Sequence, residues 1–327
     1  MIARDGHQPF LEAAGWGGAE VRPLAGDASF RRYFRVLDRG RQAVLMDAPP
    51  DAEDVRPFLR IADLLLQSGF SAPRLLAADI GQGFLLLEDF GDRLLGPVLA
   101  DAPQLEDETY RAAVHLLAEL HRVAPPADLP PYDRAALLRE VRLFPDWYLR
   151  AAGLTFDEAG FVDAWDRVWA DVLAETAARP VVTLRDYHAD NLLLLDRPGV
   201  KGLGLLDFQD ALAGHPAYDL VSLLQDARRD VSARLEQLML REYGRAADLA
   251  DSERFRACYE VLGAQRNVKI LGIFVRLRDR DHRSGYVERL PRVWSYLERN
   301  FRHPALLPVR AWFDAHVPVQ SRAGWCQ

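Results

Sequence analysis

Three early stretches, Val21 to Leu24, Arg31 to Leu37 and Gln42 to Asp47, mix apolar and polar positions in short runs around the Gly26 turn. Successive side chains of a strand point to opposite faces, so each stretch predicts a half-buried β-strand. Between Asp54 and Leu66 the rhythm changes: Phe58, Ile61, Leu64 and Leu65 follow the spacing of one helix face. Leu75 to Asp79 and Gly83 to Glu88 return to strand character, and Asp89-Phe90-Gly91-Asp92 follows as a hinge. From Thr109 through His121 and onward helical spacing dominates. The expected fold class is α+β. A small mixed lobe over residues 1–90 carries an antiparallel sheet, and a larger, mostly helical lobe spans residues 91–327.

One segment of the second lobe breaks this rhythm. Val181-Val182-Thr183-Leu184 is an apolar lead-in to Arg185-Asp186-Tyr187-His188-Ala189-Asp190-Asn191. Leu192 to Leu195 then reads as a short buried strand and Leu203 to Leu206 as its return. Between them Asp196-Arg197-Pro198-Gly199 has turn chemistry, since proline presets φ and glycine supplies φ > 0. In such a hairpin Asn191, before the first strand, and Asp207, after the second, are expected at the same open end. An amide oxygen and a carboxylate are the hard ligands that Mg²⁺ takes alongside phosphate and water. Asp186, one loop upstream, is placed to accept the proton of an attacking hydroxyl. Together the three residues match the working set of an ATP-dependent phosphotransferase.

These motifs, with Gly214-His215-Pro216-Ala217-Tyr218-Asp219-Leu220 behind them, resemble the aminoglycoside phosphotransferase/choline kinase superfamily. Members share the protein-kinase-like fold and act on small molecules, and His188 stands where protein kinases usually carry lysine. Gly26 to Val36, Leu45-Met46-Asp47-Ala48-Pro49-Pro50, Asp207-Phe208-Gln209-Asp210-Ala211 and Gln265 to Phe274 are most similar to the bacterial anomeric sugar kinases. These phosphorylate N-acetylmuramate and N-acetylglucosamine at C1 during cell-wall recycling. The resemblance runs from about residue 20 to His303-Pro304-Ala305-Leu306. It implies an amino-sugar kinase using ATP and Mg²⁺, with an aminoglycoside or choline-like alcohol kinase and a non-catalytic nucleotide-binding regulator as the alternatives.

The resemblance also assigns a nucleotide site, with one departure. The Gly26 turn offers Ser29, Phe30 and the amides around them to phosphate oxygens, although a single glycine makes a sparse phosphate loop. Kinases of this fold place a cation on the third strand, paired with a helix glutamate. Here Ala43-Val44-Leu45-Met46 puts methionine there, leaving Arg31 or Arg32 as substitutes unless both belong to a solvated strand face. Glu88 and Phe90 flank the backbone expected to bind adenine, and Met46 is a candidate for the apolar slot around the base. Asp219 is read as structural, capping its helix and bracing the catalytic loop. For the substrate, His188 and Asp210 are candidates. So are Arg266 and Lys269, three apart on a predicted helix, which would suit an anionic sugar as a cationic rim or belong to a solvated face.

Composition narrows the setting. A net charge of −7 argues against a general nucleic-acid binder. No apolar run reaches membrane-helix length, and the first ten residues lack a signal-peptide core. Cys258 and Cys326 are the only cysteines, which suits a reducing cytoplasm. The expectation is a cytoplasmic, monomeric enzyme acting on a small-molecule sugar.

Overall fold

The computed structural model describes residues 3–24, 30–249 and 252–323. The chain divides into two compact units, Met1–Ala102 with Asp190–Asp210, and Pro103–Ala189 with Ala211–Gln327. The boundary expected at residue 90 thus lies near residue 102, and the hairpin segment groups with the first unit rather than with the helical one.

The first unit is built on five antiparallel strands: β1 (Glu20–Pro23), β2 (Arg32–Asp38), β3 (Arg41–Asp47), β4 (Leu75–Asp79) and β5 (Phe84–Glu88). Their spatial order is β1-β2-β3-β5-β4. Period-two alternation gives the sheet one wholly apolar face. Phe34, Val36, Ala43, Leu45, Phe84 and Leu86 cluster there with Phe10 and Leu11 of the helix His7–Ala13 and with Trp16. Each large side chain so buried contributes roughly 1.5–3 kcal/mol. Gly83, which closes the turn into β5, has φ +71°, and a Cβ there would lie 1.9 Å from the Ala48 carbonyl oxygen. Only glycine fits that approach. The helix Arg56–Gln67 follows β3, as the spacing of Phe58 and Ile61 predicts.

The second unit is helical around Ser252–Asp279, which packs against Arg134–Val141, Ala217–Leu224 and Leu290–Asn300. Tyr259, Leu262, Gln265, Arg266, Asn267 and Leu271 are all buried, so the helix is covered around its whole circumference. Gly272 permits the closest crossing: a Cβ would stand 2.3 Å from the backbone of Leu143. Two short strands, Val181–Thr183 and Leu212–Gly214, pair antiparallel, the first leading into the loop that carries Asp186. Among the described residues no helix is long and apolar enough to cross a membrane.

Candidate active site

In the first unit Leu192–Leu194 pairs with Leu203–Leu205, Leu192 opposite Leu205. Beyond that rung Leu206 N donates to Asn191 O at 3.0 Å, so Asn191 and Asp207 share the open end as the sequence predicts. Phe208 is buried and its ring stacks on Phe58 with centroids 4.9 Å apart, anchoring the backbone beside Asp207. Asp207 has φ 55°, a left-handed conformation that aspartate tolerates better than most residues. Its Oδ1 accepts from Gln209 Nε2 at 2.8 Å, and the exposed Asp210 lies within reach of the same amide. The hairpin turn is tied to the sheet by Arg197, which donates to Glu88 at 2.5 Å and to Ser71 Oγ at 2.9 Å. The same guanidinium lies 5.2 Å from the centre of the Phe90 ring. The hard oxygens of Asn191 and Asp207 fit the donor set that magnesium requires.

The remaining nucleotide candidates occupy different places. Met46 is fully buried beside its cross-strand partners Tyr33 and Leu85. The Glu88 carboxylate is engaged by Arg74 and Arg197, and its backbone N–H donates to Arg74 O at 2.8 Å. Phe30 is 70% exposed, and Ser29 lies outside the described residues. Arg32 does not stand beside Asp207. Its guanidinium is 3.2 Å from Asp47, a buried carboxylate that also binds Arg4. Arg31, one residue earlier, is the one that approaches Asp207, with 3.8 Å between Nη1 and Oδ1. Neither arginine belongs to a simple solvated face.

In the second unit the loop before Asp186 is fastened from two sides. Asp219 accepts from Leu184 N at 2.7 Å and from Arg185 N at 2.8 Å. It braces the loop as expected but does not cap its helix, since Pro216 holds the N-cap position. Burial pushes the Asp219 carboxyl up to about 7, against the two amide donors that favour its charge. Arg185 has φ 73°, which costs a long side chain about 1–3 kcal/mol. Its guanidinium donates to Glu140 Oε1 at 2.5 Å, holding that conformation.

Glu140 is the hub of this unit, and no sequence signal marked it. Buried on the helix Arg134–Val141, it also accepts from Lys269 Nζ at 2.9 Å, Gln265 Nε2 at 2.8 Å and the Tyr132 hydroxyl. Burial opposes its charge, but Lys269 and Arg185 overcome that and hold its carboxyl at about 2. Lys269 therefore lies inside the unit and not on an open rim, and Arg266 is only 4% exposed. The expected cationic face is corrected accordingly: both the rim and the solvated-face readings assumed a helix with an open side. The two cations act on Asp186 instead. Burial raises its pKa, yet Lys269, His188, Arg266 and Arg185 outweigh this and hold the carboxyl below its ordinary value. His188 is buried, with Nε2 3.0 Å from Arg228 Nη1.

The antiparallel sheet, the larger helical unit and the loop-and-hairpin order define a protein-kinase-like phosphotransferase. The chain belongs to the phosphotransferase enzyme family, whose model matches residues 20–258. It is 38% identical to an N-acetylmuramate/N-acetylglucosamine kinase of Caulobacter vibrioides, over 96% of each chain. To the kinase of that name from Pseudomonas aeruginosa it is 40% identical, over 88% of this chain and 86% of that one. Among solved structures it resembles the GDP complex of wild-type aminoglycoside 2'-phosphotransferase-IIIa, with a TM-score of 0.63, 19% identity, and coverage of 90% and 98%. A choline/ethanolamine kinase family protein from Mesorhizobium loti gives a TM-score of 0.61 at 17% identity, covering 94% and 99%. At such identities these structures establish the fold alone.

Proposed function

We propose that this protein transfers the γ-phosphate of ATP to the anomeric hydroxyl of N-acetylmuramate or N-acetylglucosamine, as a monomeric cytoplasmic enzyme of cell-wall recycling. The observation that carries the reading is the hairpin that sets Asn191 and Asp207 at one open end, in a sequence that carries Asp186 one loop upstream and is 38% identical to a kinase of those sugars. Asp186 takes the proton of the attacking hydroxyl. Because it is already charged, no prior deprotonation limits it. Asn191 and Asp207 are the residues that would hold magnesium, which screens charge on the phosphates when bound. His188 and Asp210 are the groups proposed to meet sugar hydroxyls. Arg266 and Lys269 act at a distance, by keeping Asp186 ionised. Backbone groups around Glu88 and Phe90, with Met46, are assigned to the adenine.

The test is an ATP/Mg²⁺ assay with both sugars, with N-acetylmuramate also used as a competitor of aminoglycoside and choline turnover. Formation of an acid-labile, alkali-stable sugar phosphate is the expected result. ATP binding without turnover on either sugar would overturn the substrate assignment and favour a regulator. Turnover on an aminoglycoside or choline alone would reassign the acceptor.

A further inference from the structure

The buried stretch of the third strand, Ala43 to Met46, has no cation; Arg41 stands at its far, exposed start. Ala43, Leu45 and Met46 are buried, and of the two lysines Lys201 is exposed beyond the hairpin strand while Lys269 is held by Glu140 in the second unit. A nucleotide site nevertheless needs a fixed positive charge against its phosphates. The geometry of the first unit supplies one from the neighbouring strand.

Tyr33 and Met46 face each other across β2 and β3, so their side chains share a face of the sheet. Arg31 lies two residues before Tyr33 and turns to that same side, away from the Arg32–Asp47 pair. Its side chain is only 11% exposed. Nε lies 3.4 Å from Glu53 Oε2, and Nη1 lies 3.8 Å from Asp207 Oδ1. Glu53 stands just before the helix Arg56–Gln67, whose Phe58 packs on Phe208 beside Asp207. A cation at the foot of β2, a carboxylate just before the helix Arg56–Gln67 and the aspartate after the hairpin are thus gathered in one place. Burial lowers the tendency of Arg31 to stay charged, and Tyr33, Asp207, Glu53 and Asp210 more than restore it.

We propose that Arg31, held by Glu53, binds the phosphate oxygens of the nucleotide in the role that a third-strand lysine fills in other kinases of this fold. Without nucleotide its charge is directed at Asp207. When phosphate arrives together with a cation on Asp207, the guanidinium exchanges one anion for another without leaving its place. Glu53 keeps the side chain extended during that exchange. The inference rests on the reading of Asp207 as a metal ligand, but not on the identity of the sugar.

The test is the affinity of the full chain for ADP with Mg²⁺, and for adenosine, measured by calorimetry. Arg31→Ala should weaken ADP binding tenfold or more and raise the KM for ATP, while adenosine affinity and the KM for sugar stay within twofold. Arg31→Lys should recover most of the ADP affinity, and Glu53→Gln should lose part of it. Arg22→Ala, on the exposed strand β1, should bind ADP as the wild type does. A normal thermal melt of Arg31→Lys and Glu53→Gln keeps the comparison valid if Arg31→Ala fails to fold. Unchanged ADP affinity in Arg31→Ala, or equal losses for ADP and adenosine, would overturn the proposal. ADP binding that depends on Arg31 in a chain inactive on both sugars would support it while removing the sugar assignment. A wild-type chain that binds no ADP would overturn both.

Discussion

Replacing Glu140 by glutamine tests the electrostatics of the second unit most directly. The change preserves shape and removes one charge from a side chain that is 6% exposed. Its carboxyl is held at about 2, against an ordinary value of 4.5, because Lys269 and Arg185 more than offset burial. That difference corresponds to roughly 3 kcal/mol of stability at neutral pH. The sign is fixed by the depressed pKa. The contribution is complete above 4.5 and is lost as the pH falls from there toward 2. Glutamine also leaves the buried Lys269 and Arg185 without a counter-charge, and breaking such a cluster costs about 3–5 kcal/mol. For a unit of this size, ~3 kcal/mol lowers the melting temperature by about 6–12 °C. Thermal melts of wild type and Glu140→Gln at neutral pH, and then stepwise into acid, measure both effects. The gap should be wide at neutral pH and should close below 4.5. A shift under about 2 °C, or a gap of constant width into acid, would refute the reasoning.

Other substitutions probe single links of the same structure. Asp186→Asn should lower kcat by ~10²–10⁴, the loss expected when a general base is removed; steady-state kinetics decide it. Because the Asp186 carboxyl lies below its ordinary 3.8, the acid limb of kcat/KM for the wild type should show no inflection from this group above that pH. Asp219→Ala leaves the Leu184 and Arg185 amides without their acceptor, at about 1–3 kcal/mol each, and chemical denaturation together with kcat should register both the instability and the displaced loop. Gly272→Ala forces a methyl to within 2.3 Å of the Leu143 backbone, and a loss of about 1–3 kcal/mol in the same denaturation experiment is expected.

The sheet and the hairpin were legible in the chain because both depend on short-range pattern. Phe34 and Val36, like Ala43 and Leu45, are two residues apart on their strands, and that spacing puts each pair on the same, apolar face. Asn191 and Asp207 could be brought together from two strands and a turn, with no knowledge of the rest of the molecule. The choice between Arg31 and Arg32 was harder. Both precede or begin the same strand, and only the position of Asp47 and Asp207 on opposite sides separates them. Glu140 could not have been found by pattern. It sits on an amphipathic helix where a glutamate usually faces water, and its partners come from residues 132, 185, 265 and 269. Periodicity gave Arg266 and Lys269 one face correctly, but it cannot tell a solvent face from a covered one when neighbouring helices enclose the whole helix.

The two central carboxylates are treated in opposite ways, and that difference follows from their surroundings. Asp186 is held ionised by several cations fixed in place, among them Lys269 and Arg185, which Glu140 locks by direct ion pairs. Its charge cannot easily be neutralised by a passing ion, which suits a group that must accept a proton and return it. Asp207 is 47% exposed, with Arg31 at 3.8 Å and Gln209 Nε2 donating to its Oδ1. On the proposal that Asp207 holds magnesium, Asp207→Asn should raise the Mg²⁺ concentration needed for turnover without disturbing the fold. Lys269→Met, by contrast, should destabilise the second unit before it alters the metal requirement, because the buried Glu140 would lose one of its two cations.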